Sequence, residues 1–183
     1  MAIATAPRQI TAAKTLGLSA MPSLPVVEKT GMSWKKGAPL VDDGSTGRVI
    51  EVTSPIGTGS QVALIGFAED DASGVAGRAT RMVPCFPGAQ IFEGNLKNSG
   101  AGTFHTLAEA DIWQCVKIAK DATFSTGYWF LDANNASTTT MTVVNDGAMI
   151  VGFKDPVGTV DARVYFIVTA ALRKPATGTG TLG

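Results

Sequence analysis

The sequence predicts an all-β protein, a small β-barrel or β-sandwich with an N-terminal extended arm and at most one short helix. From Gly31 onward, short runs of β-branched, aromatic and other apolar residues recur as they do in strands. Residues that favour turns separate these runs, and the chain holds 21 Gly and 9 Pro among 183 residues. One segment alone, around residues 106–111, favours a helical turn.

The chain length fits one domain with an appendage. We divide it into an arm at residues 1–30, a β domain at residues 31–173 and a flexible tail at residues 174–183. A β domain of this size can form a core without disulfides or metals. No repeat with a period of about 20–50 residues stands out.

The charge pattern argues against two classes of partner. Charged residues make up 16% of the chain, with 15 Lys+Arg and 15 Asp+Glu, and no block of one sign. Because a duplex-binding protein normally carries a basic face, we expect no direct nucleic-acid partner. No run approaches the roughly 20 apolar residues of a membrane span, so we expect no membrane partner either. A weakly charged, apolar chain suits burial against copies of itself or against a partner, although a large core would absorb the same residues.

Residues 1–30 differ in composition from the rest, with Ala, Thr, Ser and Pro dominant. Pro22 and Pro25 discourage a helix because proline lacks an amide hydrogen. The segment is either a partly disordered tail or an extended arm, which would reach roughly 80 Å. We favour the arm, with its spaced apolar residues docked on a neighbour. Its candidate contact residues, with one residue of the β domain, are Ile3, Ile10, Leu16, Leu18, Met21, Leu24, Val26 and Trp34.

The first strands of the β domain are predicted by a hairpin and a buried run. WKKGAPLV and GRVIEVTS flank the loop at residues 42–47, whose Asp and Gly residues are typical of a hairpin. QVALIGFA, residues 61–68, is continuously apolar, which predicts a strand covered on both faces. GRATRMVPCF and AQIFEGNL follow as strands separated by Pro87 and Gly88.

The second half holds a possible helical turn and then more strands. Thr106 and Glu109 form a potential capping box, which predicts one turn at residues 106–111 before a strand, although a helix running through to Ala119 competes. IWQCVKIAKD and GYWFLD make a candidate strand pair. In DARVYFIVTAAL, alternation places Val164, Phe166 and Val168 on one face and Arg163, Tyr165 and Thr169 on the other.

Asn145-Asp146-Gly147 lies between the apolar runs TTTMTVV and AMIVGF. An aspartate beside a glycine could be a metal ligand, a catalytic carboxylate or a turn residue. The flanking runs favour a hairpin corner in which glycine tolerates a positive φ.

Other residues that could carry chemistry lack supporting patterns. His105 is the sole histidine, and no Gly-x-Ser-x-Gly motif accompanies it. Cys85 and Cys115 lack zinc-ribbon spacing, so we expect two buried thiols. The carboxylates lie beside turn residues and do not follow a calcium-loop pattern. We therefore predict no catalytic residue, no metal and no cofactor.

The order of residues from His105 onward is distinctive, with Leu107, Ala110-Asp111-Ile112, Tyr128-Trp129, Asp132, Val151-Gly152-Phe153, Asp155-Pro156, Gly158-Thr159 and Arg163-Val164. The predicted strands KKGAPLV, GRVIEVTS and ALIGFAEDDASG precede them. Over about residues 32–170 this order resembles the capsid decoration, or cement, proteins of tailed bacteriophages, and the three strands are similar to the opening hairpin and third strand of decoration barrels. Trp113 is a departure, because the resemblance leads us to expect Gly there, so an altered turn is expected.

The resemblance implies a non-enzymatic virion protein that binds the outer capsid surface, with the major capsid protein and further copies of itself, as a homotrimer, as partners. The amino-terminal residues lack a secretory signal, so we expect synthesis in the cytoplasm of the host bacterium. Two alternatives stay open. One is another phage component, such as a head-fibre base or a tail protein. The other is a carbohydrate-binding adhesive module that uses Tyr128, Trp129 or Trp34.

Overall fold

The computed structural model describes residues 9–15, 23–53, 55–56, 64–86, 88, 90–99, 104–121, 127–137 and 147–169. Strands dominate these residues and the helical content is one 3-10 turn at Glu109–Asp111, which confirms the all-β prediction. The strands are β1 (Thr11–Thr15), β2 (Leu24–Val27), β3 (Pro39–Asp42), β4 (Val49–Glu51), β5 (Leu64–Ala68), β6 (Ala79–Pro84), β7 (Gln90–Lys97), β8 (Cys115–Lys120), β9 (Trp129–Ser137), β10 (Ala148–Phe153) and β11 (Arg163–Val168).

Strands β2 to β6 form a sheet that we call the first barrel. Its spatial order is β2-β6-β5-β3-β4, and each neighbouring pair along that order is antiparallel. The two end strands meet at a parallel bridge between Glu28 and Val49. There the Lys29 amide donates to the Val49 carbonyl at 3.2 Å. This contact joins the two ends of the sheet.

Strands β7 to β11 form the second barrel, in the order β7-β11-β10-β8-β9. Neighbours are again antiparallel. A parallel pairing of β7 with β9, which sets Leu96 opposite Leu131, closes the barrel. Strand β1 pairs with the start of β7 and extends the sheet beyond the barrel.

The two barrels have the same topology. Taken in chain order, β2 to β6 correspond to β7 to β11, and in both barrels the closing contact is the parallel one. The register of the strand pairing agrees as well. Leu40 lies opposite Gly66 in the first barrel, and the equivalent residues of the second barrel, Val116 and Ala148, also lie opposite each other. The chain is therefore a structural tandem of one five-stranded unit. This repeat is longer than the period of about 20–50 residues that is typical of short sequence repeats.

A shared core joins the barrels. The Phe67 ring of the first barrel lies 4.7 Å from the Phe92 ring and 6.4 Å from the Phe166 ring of the second, centroid to centroid. Ile56, just after β4, exchanges backbone hydrogen bonds of 2.8 and 3.0 Å with Ile118 of β8. All five side chains are buried. Since burial of apolar area drives folding, this contact couples the two units.

The amino-terminal segment differs from the predicted arm. Residues 11–15 pair with β7 and residues 24–27 pair with β6 of the same chain. Ile10, 2% exposed, packs beside Gly37 and Gly94 in the core. The physical reason is that β1 gains backbone hydrogen bonds by pairing with β7, and Ile10, the large apolar residue just before β1, is buried in the core. Residues 1–8 and 16–22 lie outside the described residues, as does the predicted tail at 174–183.

The predicted hairpin, helical turn, buried cysteines and β11 face can each be compared with the structure. The hairpin across residues 42–47 is confirmed by the antiparallel pairing of β3 and β4. The helical turn precedes a strand as predicted, but its cap is different, because the Asp111 carboxylate accepts the Ala108 amide at 2.8 Å. Both cysteines lie buried as thiols. In β11 the predicted face of three apolar residues is buried, at 0–1% exposure.

The Asn-Asp-Gly corner falls partly outside the description, since residues 138–146 are not among the described ones. Gly147 does not have the expected positive φ. A Cβ atom there would lie 2.8 Å from the Ile56 carbonyl oxygen, so glycine is needed for a close approach of two backbones.

Candidate functional site

The structure separates the predicted interface residues into core and surface. Trp34 and Ile10 are 1% and 2% exposed, and the Trp34 indole N–H donates to the Asp70 carbonyl at 3.2 Å. Val26 is partly buried against the core, whereas Leu24 is 45% exposed. This corrects the interface assignment of Ile10 and Trp34, because a residue within its own core has no surface to offer. The other four predicted contact residues lie outside the described part of the chain; they are Ile3, Leu16, Leu18 and Met21.

A different set of apolar residues reaches the surface. Among the described residues, Trp113 is the most exposed large one, at 63%. The other exposed large apolar residues are Leu24, Val27, Val75, Phe86, Val157 and Val160. Single exposed valines are ordinary. A tryptophan with most of its surface exposed to water is unusual.

The backbone at Trp113 is also unusual. Its φ is 65°, in the left-handed region that β-carbon atoms disfavour. Its amide donates to the Ile150 carbonyl at 2.9 Å, and the Ile150 amide donates to the Gln114 carbonyl at 3.0 Å. These two hydrogen bonds hold the residue in place just ahead of β8.

The first barrel holds a glycine at the equivalent position. The Gly37 amide donates to the Ala68 carbonyl at 2.8 Å, the Ala68 amide donates to the Ala38 carbonyl at 2.9 Å, and the Gly37 φ is 85°. Glycine was expected at residue 113, with an altered turn if it was absent. The turn is instead retained, and Trp113 adopts the conformation that glycine normally supplies.

His105 is held in a polar contact at the start of the loop that leads to this turn. Its Nε2 atom lies 2.8 Å from Asp111 Oδ2, and its backbone amide donates to Asp161 Oδ1 at 3.2 Å. Asp111 Oδ2 also accepts the Ala108 amide. The histidine therefore fastens the 3-10 turn to the preceding loop, which is a structural role that sequence reasoning did not foresee.

Polar side chains are buried on the outer face of β7. Glu93, Asn95 and Lys97 alternate along this strand at 5–6% exposure. Glu93 accepts a hydrogen bond from Lys154 at 2.7 Å, and Lys97 Nζ lies 2.8 Å from Asp121 Oδ2. Alternating polar residues in QIFEGNLK were the available signal. The sequence pattern assigned carboxylates to turns, and the partners of Glu93 and Lys97 lie too far along the chain to show a local pattern.

Two clefts of modest size are present among the described residues. One, of about 200 Å³, is bordered by Ile10, Lys36 and Glu69, and the other, of about 230 Å³, by Glu28, Asp71 and Arg78. Small-molecule sites usually measure about 300–1,000 Å³. Within the part of the chain that the structure describes, no group of three or more His, Cys, Asp or Glu side chains is placed to hold a metal ion.

Among the described residues, no helix is long and apolar enough to cross a membrane. Comparisons with protein-family models, with curated proteins and with solved structures find no match for this chain.

Proposed function

We propose that this protein is a virion structural protein that binds the outside of a phage capsid and stabilises the mature shell by bridging capsomers. The partners in this proposal are the major capsid protein and two further copies of the chain in a homotrimer. The protein acts on no external substrate. Its effect is thermodynamic, because a ligand that binds only the assembled lattice stabilises that lattice by mass action.

The observation that carries the proposal is the exposed Trp113 at a φ of 65°. A left-handed conformation costs about 1–2 kcal/mol for a residue with a β-carbon. The equivalent Gly37 shows that the turn itself does not need a large side chain. Tryptophan is enriched at the centres of protein interfaces, where one residue often carries much of the binding energy. Strain combined with exposure favours a docking role for Trp113.

The tandem architecture suits a bridging role. Each barrel presents its own loops, and the shared core around Phe67 keeps the two units together. A linked pair of binding units gains effective concentration for its second contact. Exposed apolar side chains occur on both barrels, with Leu24 in the first and Trp113 in the second.

The adhesive alternative loses much of its support. Trp34 and Trp129 are 1% and 2% exposed, so neither ring can stack on a sugar without unfolding its surroundings. Tyr128 is partly buried. Another phage structural role, such as a head-fibre base or a tail protein, uses the same exposed surface and differs in its partner.

Titration of the purified protein onto expanded capsids that lack it tests the proposal. We expect saturable binding at symmetric sites and a higher melting temperature of the capsid. Trp113→Gly should weaken binding by at least about tenfold while leaving the fold intact. Val75→Ser, at a residue 57% exposed on the other barrel, is the matched control and should bind within a factor of about three.

Binding to glycans without capsid affinity would contradict the proposal and support the adhesive module. Sedimentation equilibrium tests the trimer separately. A monomer at concentrations that saturate the capsid would remove the trimer but not the capsid contact.

A further inference from the structure

A lysine and an aspartate of the second barrel are in contact away from water. Lys97 is the last residue of β7 and Asp121 follows the end of β8. Their side chains are 6% and 1% exposed, and Nζ lies 2.8 Å from Oδ2. Nζ also lies 5.0 Å from the centroid of the Phe130 ring. Removing two charges from water is costly, and their mutual attraction often fails to offset that cost.

We propose that Lys97 and Asp121 condense to form an intramolecular isopeptide bond that joins β7 to the end of β8. The bond replaces two buried charges by one neutral amide, which relieves the cost of desolvating the ions. Because Oδ2 is bonded to Cγ, the 2.8 Å contact keeps Nζ within about 4 Å of that carbon, and a small movement reaches the near-attack separation of about 3–3.5 Å. Holding the two groups in place supplies the orientation that the reaction in water lacks.

The reaction needs no oxidant, reductant or cofactor. A proton passes from the Lys97 ammonium to the Asp121 carboxylate, which leaves an amine and a carboxylic acid. The nitrogen lone pair then attacks Cγ, a second proton leaves nitrogen, and the C–O bond to the hydroxyl group breaks. The two protons and that oxygen depart as one water molecule, and an amide N–H remains.

Asp161, whose charge interacts with those of both reacting groups, is the residue to which the proposal assigns proton transfer from nitrogen to the leaving oxygen. It is 6% exposed, and its φ of 48° is one of the two positive values at non-glycine residues in the described structure. The Asn95 side-chain amide donates to its carbonyl at 2.7 Å and fixes its backbone. Burial raises the pKa of Asp161, whereas the hydrogen bond from the His105 amide and the nearby Lys97 charge lower it. A carboxylate whose pKa is raised by burial is a better proton acceptor and can pass the proton on.

Asp132 is a second carboxylate near this pair, since it lies opposite Lys97 in the β7–β9 pairing. Its Oδ1 atom accepts the backbone amides of Ser99 and Asn134, each at 3.1 Å. These hydrogen bonds give Asp132 a structural role in holding the chain around the two strands.

The first barrel contains a natural comparison for this pair. Lys29 follows Glu28 at the closing contact as Lys97 follows Leu96, and it forms an ion pair with Asp43. That pair is longer, at 3.7 Å, and the Lys29 side chain is 47% exposed. We therefore expect no condensation there, because water solvates the lysine and the two groups are too far apart for a hydrogen bond.

The position equivalent to Asp161 supports the same distinction. The Glu28 amide donates to the Arg78 carbonyl in the first barrel, as the Leu96 amide donates to the Ala162 carbonyl in the second. The residue before Arg78 is Gly77, with a φ of 77°. The first barrel thus has a glycine where the second has Asp161, and it has no carboxyl group at this point to carry a proton.

Intact-mass spectrometry of the purified, denatured full chain tests the proposal. We expect the wild-type mass to be lower than the sequence mass by one water molecule. Protease digestion should release a branched peptide that joins Lys97 to Asp121. Asp161→Asn should retain the full mass and a native circular dichroism spectrum, since it keeps both reacting side chains. The matched control Lys29→Arg should still lose one water molecule.

Two results would overturn the proposal. The first is a wild-type chain that keeps its full sequence mass after prolonged incubation at neutral pH. The second is a loss of water that persists in Lys97→Arg, since this would place the dehydration elsewhere, for example in a succinimide at Asp146-Gly147. Retained water loss in Asp161→Asn would overturn the proton-carrying role of that residue. The measurement needs no capsid, so its outcome is independent of the proposed virion role.

Discussion

Replacing Gly37 with alanine probes whether the amino-terminal segment packs on its own chain. Gly37 has a φ of +85°, and a Cβ atom built there lies 2.6 Å from the Ile10 nitrogen and 2.7 Å from the Ile10 oxygen. These are backbone atoms, so no change of side-chain rotamer removes the clash. The segment that begins with Ile10 and continues into β1 must move.

The expected cost has two parts. A β-carbon in the left-handed region costs about 1–2 kcal/mol. Displacing Ile10 from the core forfeits about 1.5–3 kcal/mol of apolar burial. Gly44→Ala is the matched control, because Gly44 has a φ of +76° and nothing within 4 Å of its added Cβ. It should show the first cost alone, about 1–2 kcal/mol.

Urea denaturation of both variants measures the difference, which should be about 1.5–3 kcal/mol in favour of Gly44→Ala. Hydrogen exchange gives a second readout, because the amides that link β1 to β7 should lose protection in Gly37→Ala only. Equal destabilisation by the two variants, with β1 protection unchanged, would refute the reasoning. The amino-terminal segment would then have to lie somewhere other than against Gly37.

Three further changes probe the core, the strained turn and the surface charges. Phe67→Ala should lower the free energy of unfolding by about 3–5 kcal/mol. Denaturation followed by a probe in each barrel should then give two separate transitions. A single shared transition would contradict the coupling of the two barrels through this side chain. Trp113→Gly should change the free energy of unfolding by less than about 1 kcal/mol, because relief of the left-handed strain offsets the partial burial that is lost; a loss of 3 kcal/mol or more, about the cost of truncating a core aromatic residue, would assign Trp113 to the core. The Lys36 amide and the Lys35 ammonium hold the pKa of Asp71 below its ordinary value, so its stabilisation is present above the unfolded-state pKa of about 3.9 and is lost as the pH falls through the lower folded-state pKa. Asp71→Asn should therefore be less stable than the wild type at neutral pH, by at most about 1 kcal/mol for so exposed a pair, and thermal melts of the two proteins should converge in acid.

Much of the strand pattern could be predicted because it is local. The alternation of Val164, Phe166 and Val168 with polar neighbours predicts a strand with one buried face, and all three are 0–1% exposed. The Asp- and Gly-rich loop at residues 42–47 predicts the hairpin that joins β3 to β4. Both signals depend on residues close together in the chain.

The amino-terminal strands could not be predicted in the same way. Thr11–Thr15 contains no large apolar residue, and Pro25 lies within Leu24–Val27. Their strand conformation comes from pairing with β7 and β6, which lie far along the sequence. Tertiary pairing therefore overrides weak local propensity.

The duplication was hidden for a related reason. Val26 corresponds to Gly94, whereas Thr80 corresponds to Val164, so the spacing between equivalent residues is not constant along the chain. Insertions in the connecting loops account for the change. Equivalent positions are defined by hydrogen-bond register, and a fixed-period search in sequence cannot detect them.

The candidate sites were only partly visible. The mismatch at Trp113 was noted from the resemblance alone, but its left-handed φ and exposure come from the structure. The contact of Lys97 with Asp121 joins the ends of two strands that are adjacent to β9 but not to each other. Sequence spacing contains no signal for such a meeting.

By itself, the sequence determined the all-β class, the positions of most strands and the hairpin at residues 42–47, because side-chain alternation and turn chemistry act over a few residues. Only the tertiary structure decided that the strands close into two barrels of one topology, that Ile10 belongs to the core, and that Lys97 and Asp121 form a buried ion pair. The physical reason is that closure and burial depend on pairing between distant segments, whose free energy is gained only when the whole chain has folded.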